Sequence, residues 1–370
     1  HRVRVSIKHL RALGQLVRER WRRSEGASPQ GSPRPNDGEA ADPWPPGLDP
    51  DFQDVPIAIA RTLPEDVDQR QTTEVRQLYL ESIAAARRFI YIENQYLSAH
   101  CVGEALAARL KEENGPDVVI VMPEETGGWL EQHTMDVLRG RLVARLRSAD
   151  RHDRLRLYYP RLAEHPHCTL MVHAKVMVID DHFLRVGSAN LSNRSMGFDS
   201  ECDLAIAADD DDAGRRETIA GIRSRLLAEH LGSTPAEVDQ AMTRHGSLIA
   251  AIETLRDGER TLAPLSAEIP DDIDGWVPES QLLDPEKPVA PEKLLNLFVS
   301  PEERPAAYRH AAKVFVLLAV VAGLAALWRW TPLGEWINLE AARSVAAWID
   351  QQPLAPLLVA AVYVVGGLVA

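Results

Sequence analysis

The chain is poor in cysteine, with three in 370 residues. Cys101, Cys168 and Cys202 are odd in number and no spacing pairs them, which argues against a disulfide framework and for a reducing compartment. All three are expected to be structural, and Cys202, alternating with Leu204 and Ile206, has the pattern of a small core hydrophobe. A closed metal site is lacking too. His165, His167, Cys168 and His173 match no four-ligand zinc spacing, and Pro166 marks a turn among them. The acidic run Asp209 to Asp212 has neither the Gly nor the terminal Glu of a calcium loop, and fits an acidic helix cap. Nor is there an excess of positive charge: 41 Lys and Arg stand against 54 Asp and Glu, a net −13. A duplex-binding surface must release many counterions, so nucleic acid is not the expected partner. The basic charge is local. Residues 2 to 23 hold eight Arg or Lys against Glu19 alone, which suits a solvated strand edge and helix face or an anionic-lipid contact.

What the chain does have is material for one large domain with appendages, 45% hydrophobic and 26% charged. In residues 1–23, Val3, Val5 and Ile7 alternate with polar neighbours, then Leu10, Leu13, Leu16, Val17 and Trp21 mark a helical face. Residues 24–54, with seven prolines among Gly, Ser, Asp and Glu, read as a linker. From Val55 strands and helices alternate through residues 55–262, an α/β layer pattern. Strands are expected at 55–60, 89–93, 118–122, 155–159, 169–180, 183–188 and 201–207, and helices at 74–88, 102–113, 129–147, 213–231 and 235–257, the last opened by Ser233-Thr234-Pro235. Prolines in 263–308 mark a second linker. In residues 309–370, Val314 to Trp328 and Pro353 to Ala370 are uncharged apolar stretches of near-spanning length, the first extended by Ala311 and Ala312 if Lys313 and Arg329 snorkel. Arg304, Arg309 and Lys313 precede them, which places the part before them in the cytoplasm.

The chemistry concentrates in His173-Ala174-Lys175-Val176-Met177-Val178-Ile179-Asp180, followed after six residues by Gly187-Ser188-Ala189-Asn190. On a strand, His173 and Lys175 share one face about 7 Å apart, a span that fits one phosphate. Imidazole serves as nucleophile or general acid, while Lys, Ser and Asn supply donors for the equatorial oxygens of a pentacovalent phosphorus.

The spacing H-x-K-x(4)-D-x(6)-G-S-x-N resembles that of the phospholipase D superfamily, with His173, Lys175, Asp180, Gly187, Ser188 and Asn190 at its fixed positions and Glu201 at the acidic position that follows. Ile92 to Tyr96 and Ile222 to Gly232 resemble further segments of the second half of two-motif members, so the likeness runs over roughly residues 55–235. It implies a mixed sheet flanked by helices, one half of a two-lobed enzyme, working through a phosphohistidine without metal or other cofactor. His173 would be the general acid, Lys175 and Asn190 would hold phosphate oxygens with Ser188 in support, and Glu201 would accept the other ring proton of His173. Asp180 belongs to the catalytic motif, but strand parity turns it to the opposite face, which suits a structural role at the turn. This chain holds one copy of the motif. The expectation is therefore of a fragment whose residues 1–23 are a remnant of a first half, with that missing half as partner and no activity alone. The tail resembles the start of a SNARE-associated (VTT or DedA-like) domain of bacterial proteins, implying transmembrane helices in a bacterial inner membrane.

Together these imply a membrane-held phospholipase D acting on glycerophospholipid headgroups. A cardiolipin-synthase-type phosphatidyltransferase or another superfamily phosphodiesterase, such as a nuclease, stands as the alternative, and a non-catalytic membrane scaffold as a third.

Overall fold

In the computed structural model the described residues are 3–5, 7–25, 49–65, 70–127, 132–165, 167–269 and 283–287. The apolar segments expected to span a membrane, and the SNARE-associated likeness, lie outside them. Among the described residues no helix is long and apolar enough to cross a membrane.

The chain runs β1 (Val3–Val5), α1 (Ile7–Glu25), β2 (Phe52–Val55), β3 (Ala58–Leu63), β4 (Thr72–Thr73), α2 (Glu74–Ala85), β5 (Phe89–Glu93), α3 (His100–Lys111) and β6 (Asp117–Val121). A π turn at Gln132–Asp136 then leads into α4 (Val137–Ala149), β7 (Leu155–Leu162), β8 (Val176–Ile179) and β9 (Phe183–Gly187). The last elements are α5 (Asn193–Gly197), β10 (Glu201–Ala207), α6 (Ala213–Leu231), α7 (Pro235–His245), α8 (Leu248–Leu255) and β11 (Arg260–Pro264). Strands β1 and β2 pair as a small separate sheet, and the rest form one sheet of nine in the order β11-β7-β6-β5-β8-β9-β10-β3-β4. Within the sheet of nine, pairings β5–β6 and β6–β7 are parallel and the others antiparallel, a mixed sheet.

Strand β5 explains the layering. All five of its residues are buried, so both faces must be covered, as its near-continuous apolar sequence requires. Ile90 and Ile92 join Met177 and Ile179 in a core closed by Tyr79 of α2, Leu106 of α3 and Val143 of α4. Phe89 and Tyr91 join Val176 and Val178 in a second core under Ile222 of α6, Val238 of α7 and Ile252 of α8. Two hydrophobic layers thus clamp the sheet from either side.

The fold departs from the sequence pattern in three places. The strand drawn at 169–180 begins only at Val176, because its neighbours leave the ladder: β5 ends at Glu93, opposite Val176, and β9 ends at Gly187. The helix drawn at 235–257 is two, because Gly246 takes φ 67° and closes α7, while the Ser247 side chain accepts from the Ala250 amide to open α8. Proline-rich stretches are not only linker at their edges: β2 begins inside the end of the first, and β11, which pairs with β7, runs into the start of the second.

Candidate active site

Strand register brings the motif together at one end of the sheet. Val176 of β8 faces Val186 of β9, and Gly187 faces Asp203 of β10, so the chain before β8, the turn after β9 and the start of β10 converge. The Gly187 amide donates to the Lys175 carbonyl (3.1 Å), closing the first two segments on each other.

His173 is exposed and precedes the strand, and among the described residues its ring has no hydrogen-bond partner. Lys175 is buried, 8% exposed, and its ammonium donates to the carbonyl of His173 (3.1 Å). Burial pushes the Lys175 pKa below the ordinary lysine range, opposed by Glu201 and reinforced by Arg185. The backbone of an exposed histidine therefore meets a buried cation where the motif segments converge.

Glu201 does not hold His173 as expected. One of its oxygens accepts from the Ser188 hydroxyl and the other from the Ser195 hydroxyl (2.7 Å). With both oxygens engaged by serines, its role is to orient the polar turn. Ser188 in turn accepts from the Cys202 amide (3.0 Å), and Ser195 accepts from the Asn190 amide (3.1 Å). Among the described residues the buried Asn190 side-chain oxygen has no hydrogen-bond partner. Cys202 is half-buried rather than a core residue, and Cys168 is exposed.

Asp180 is set apart from this cluster. Its carboxylate accepts the backbone amides of Arg87 (2.6 Å), Arg88 (2.8 Å) and Phe89 (2.8 Å), bracing the loop that enters β5. That geometry separates it from the other motif residues grouped as catalytic.

Four residues that frame the turn were not singled out from sequence. Arg185 and Asp203 form a fully buried ion pair (Nε to Oδ2 2.7 Å), and Arg185 lies over the Tyr79 ring at 4.4 Å. The other Asp203 oxygen accepts the amides of Ser188 (3.0 Å) and Ala189 (3.2 Å). A Cβ on Gly187 would lie 1.8 Å from that oxygen, so only glycine admits the carboxylate. Ser195 sits five residues past Asn190 with nothing in the pattern to mark it. Asn94, in the Ile92 to Tyr96 segment, is fully buried, and its side-chain oxygen accepts the amides of Leu191 (3.1 Å) and Tyr96 (3.2 Å), tying the end of β5 to the turn. On the other face of the sheet Glu93 accepts from the Tyr91 hydroxyl (2.6 Å) and stands 3.3 Å from Nε2 of His230 on α6, which is where the two flanking likeness segments meet.

Several known proteins are similar to this chain. Residues 79–218 match the family model described as "Cardiolipin synthase, PLD-like domain". The chain is 25% identical over 249 residues to phospholipase D alpha 1 of Carica papaya, covering 49% of this chain and 31% of that protein. It is 39% identical over 75 residues to phospholipase D delta of Arabidopsis thaliana, covering 18% and 9%. The chain thus spans under a third of the length of these relatives. Among solved structures, the phospholipase D family member Nuc from Salmonella typhimurium aligns at 18% identity and TM-score 0.28, covering 41% of this chain and 83% of Nuc. Phosphatidylserine synthase of Haemophilus influenzae aligns at 15% and TM-score 0.36, covering 54% and 47%. His173, Lys175, Asp180, Gly187, Ser188, Asn190 and Glu201 all fall inside the matched segment, so the likeness to a phospholipase D-like domain covers the whole motif.

Proposed function

We propose that this site cleaves or transfers the phosphodiester of a glycerophospholipid headgroup through a phosphohistidine. The observation that supports it most is the contact of the buried Lys175 ammonium with the backbone of the exposed His173 where the motif segments converge. An accessible imidazole can exchange a proton with an alcohol or water, and a fixed cation attracts the phosphate there. In the sequence forming this intermediate, one histidine attacks phosphorus, the P–O bond to the headgroup breaks, and that oxygen takes the proton of a second histidine. Water or another alcohol then reverses the exchange at phosphorus, returning its proton to the second ring. We assign His173 the proton-transfer role, Lys175 and Asn190 the phosphate oxygens, and Ser188 with Glu201 the support of the turn. The nucleophilic histidine comes from a second H-x-K-x(4)-D motif outside these 370 residues, and residues 309–370 hold the chain at the membrane where its substrate lies. Transfer to a second lipid alcohol is the other reading, favoured by the description of the matching family.

The test is His173→Asn in the full-length protein, assayed for headgroup release from phosphatidylcholine and phosphatidylethanolamine and for transfer to glycerol lipids. Turnover should fall by roughly a thousandfold or more with the fold intact. Activity within about tenfold of the parent would remove His173 from the chemistry.

A further inference from the structure

Residues 283–287, in the stretch that reads as a proline-rich linker, lie against the motif turn. Asp284 is 1% exposed, and its hydrogen bonds among the described residues come from neutral donors of the catalytic part. One oxygen accepts from the Ser98 hydroxyl (2.7 Å) and the Asn193 amide (2.7 Å), and the other from the Arg194 amide (2.8 Å). The Glu286 carbonyl presses on Gly197, where a Cβ would come within 2.7 Å, and the Glu286 side chain stands 3.5 Å from Arg76. A carboxylate withdrawn from water needs such donors, since desolvation without them costs several kcal/mol, so the segment is held where these three meet it.

What it holds is α5, and α5 carries Ser195. Ser195 donates to Glu201 (2.7 Å) and accepts the Asn190 amide (3.1 Å), so the placement of α5 sets both. Ser98 lies in the same frame, with its amide donating to the Leu191 carbonyl (2.7 Å) on the other side of the turn. We propose that Asp284 is a positioning residue for the site: by fastening α5 from the chain beyond the matched domain, it keeps Ser195 on Glu201 and on the backbone of Asn190. The proposal rests on the function argued above and places part of the working unit 66 residues past the last matched residue, 218 against 284.

The test uses the full-length protein and three variants. Asp284→Ala should lower kcat about a hundredfold, the scale of a displacement of about 1 Å in a catalytic frame, while the protein stays folded at the assay temperature. Asp284→Glu, which keeps both acceptors, should recover most of the turnover, and Ser98→Ala, which leaves both amide contacts, should lose less than Asp284→Ala. Hydrogen exchange supplies a readout independent of turnover. The Asn190 amide, which Asp284 does not touch, should exchange faster in Asp284→Ala than in the parent and return towards the parent rate in Asp284→Glu. If the full-length parent turns over no phospholipid, the proposed function fails, and the exchange rate of Asn190 alone decides the role of Asp284. An unchanged Asn190 amide in Asp284→Ala, or a kcat loss that merely follows the unfolded fraction in both the Ala and Glu variants, would overturn the proposal.

Discussion

At the scale of single residues, Lys175 meets opposed demands. The proposed function asks for its charge at phosphate, yet burial disfavours that charge, with Glu201 restoring part of it and Arg185 removing more. The folded-state pKa therefore lies below 10.5. The sign follows: with a base depressed by folding, the folded chain binds that proton less tightly than the unfolded one, so its contribution to stability rises as pH climbs through the folded pKa. Activity runs the other way, since deprotonation removes the cation. The alkaline fall of kcat/KM should thus begin below 10.5 and be missing from a Lys175→Met variant's residual rate. A pH–rate profile that stays flat up to the ordinary lysine range would take Lys175 out of phosphate binding. Asp203 is different in kind. With both members of the Arg185 pair at zero exposure, Asp203→Ala strands a guanidinium and two amides, and unfolding in urea should show a loss of about 3–5 kcal/mol. The residues named by the motif were legible because their spacing is tied to the chemistry. Arg185, Asp203 and Ser195 were not, because an arginine, an aspartate and a serine on strands or short helices look the same from sequence whether they face water or a buried turn.

At the scale of elements, Asp180 joins the end of β8 to the entry of β5. Its three amide contacts are 91 to 93 residues away in sequence, and two of the three amides belong to exposed arginines where water can replace it. Asp180→Ala should therefore cost only about 1–2 kcal/mol in stability and leave the kcat of the folded fraction near the parent value, checked by denaturant unfolding beside an active-site-normalised rate. A rate loss of several orders with stability intact would return Asp180 to the catalytic group. Strand and helix types were readable from periodicity where an element is long: β10 and α6 fall at 201–207 and 213–231, as drawn. The start of β8 was misplaced because apolar content continues through Met171 and Val172 after the ladder has ended. Glu201 was paired with the His173 ring by the family resemblance, whereas its oxygens meet Ser188 and Ser195, and His173 lies off the strand.

At the scale of the whole molecule, two cores clamp a sheet whose one end gathers His173, Lys175 and a serine-braced Glu201. A phosphohistidine route needs two imidazoles, so residues 1–370 alone should release no headgroup in detergent over roughly a thousandfold range of concentration, and should gain activity when a chain bearing a second H-x-K-x(4)-D motif is added. Turnover by the chain alone, growing with the square of its concentration, would instead show that two copies complete the site between them. The layered α/β plan was legible from alternating patterns, while the nine-strand order was not, because β3 and β11 are placed by pairings with distant strands rather than by their own sequence.

Gly187 and Asp203 carry a consequence for how such chains can diverge. The glycine leaves room that the carboxylate occupies, and the carboxylate holds the two amides that follow the glycine. A side chain gained at 187 first meets the Asp203 oxygen, and an Asp203 lost first leaves Arg185 without its counterion. Neither single step leads to a sound neighbour, so the two positions form a lock that mutation can leave only by a simultaneous change, and descendants of this sequence should inherit them as one character.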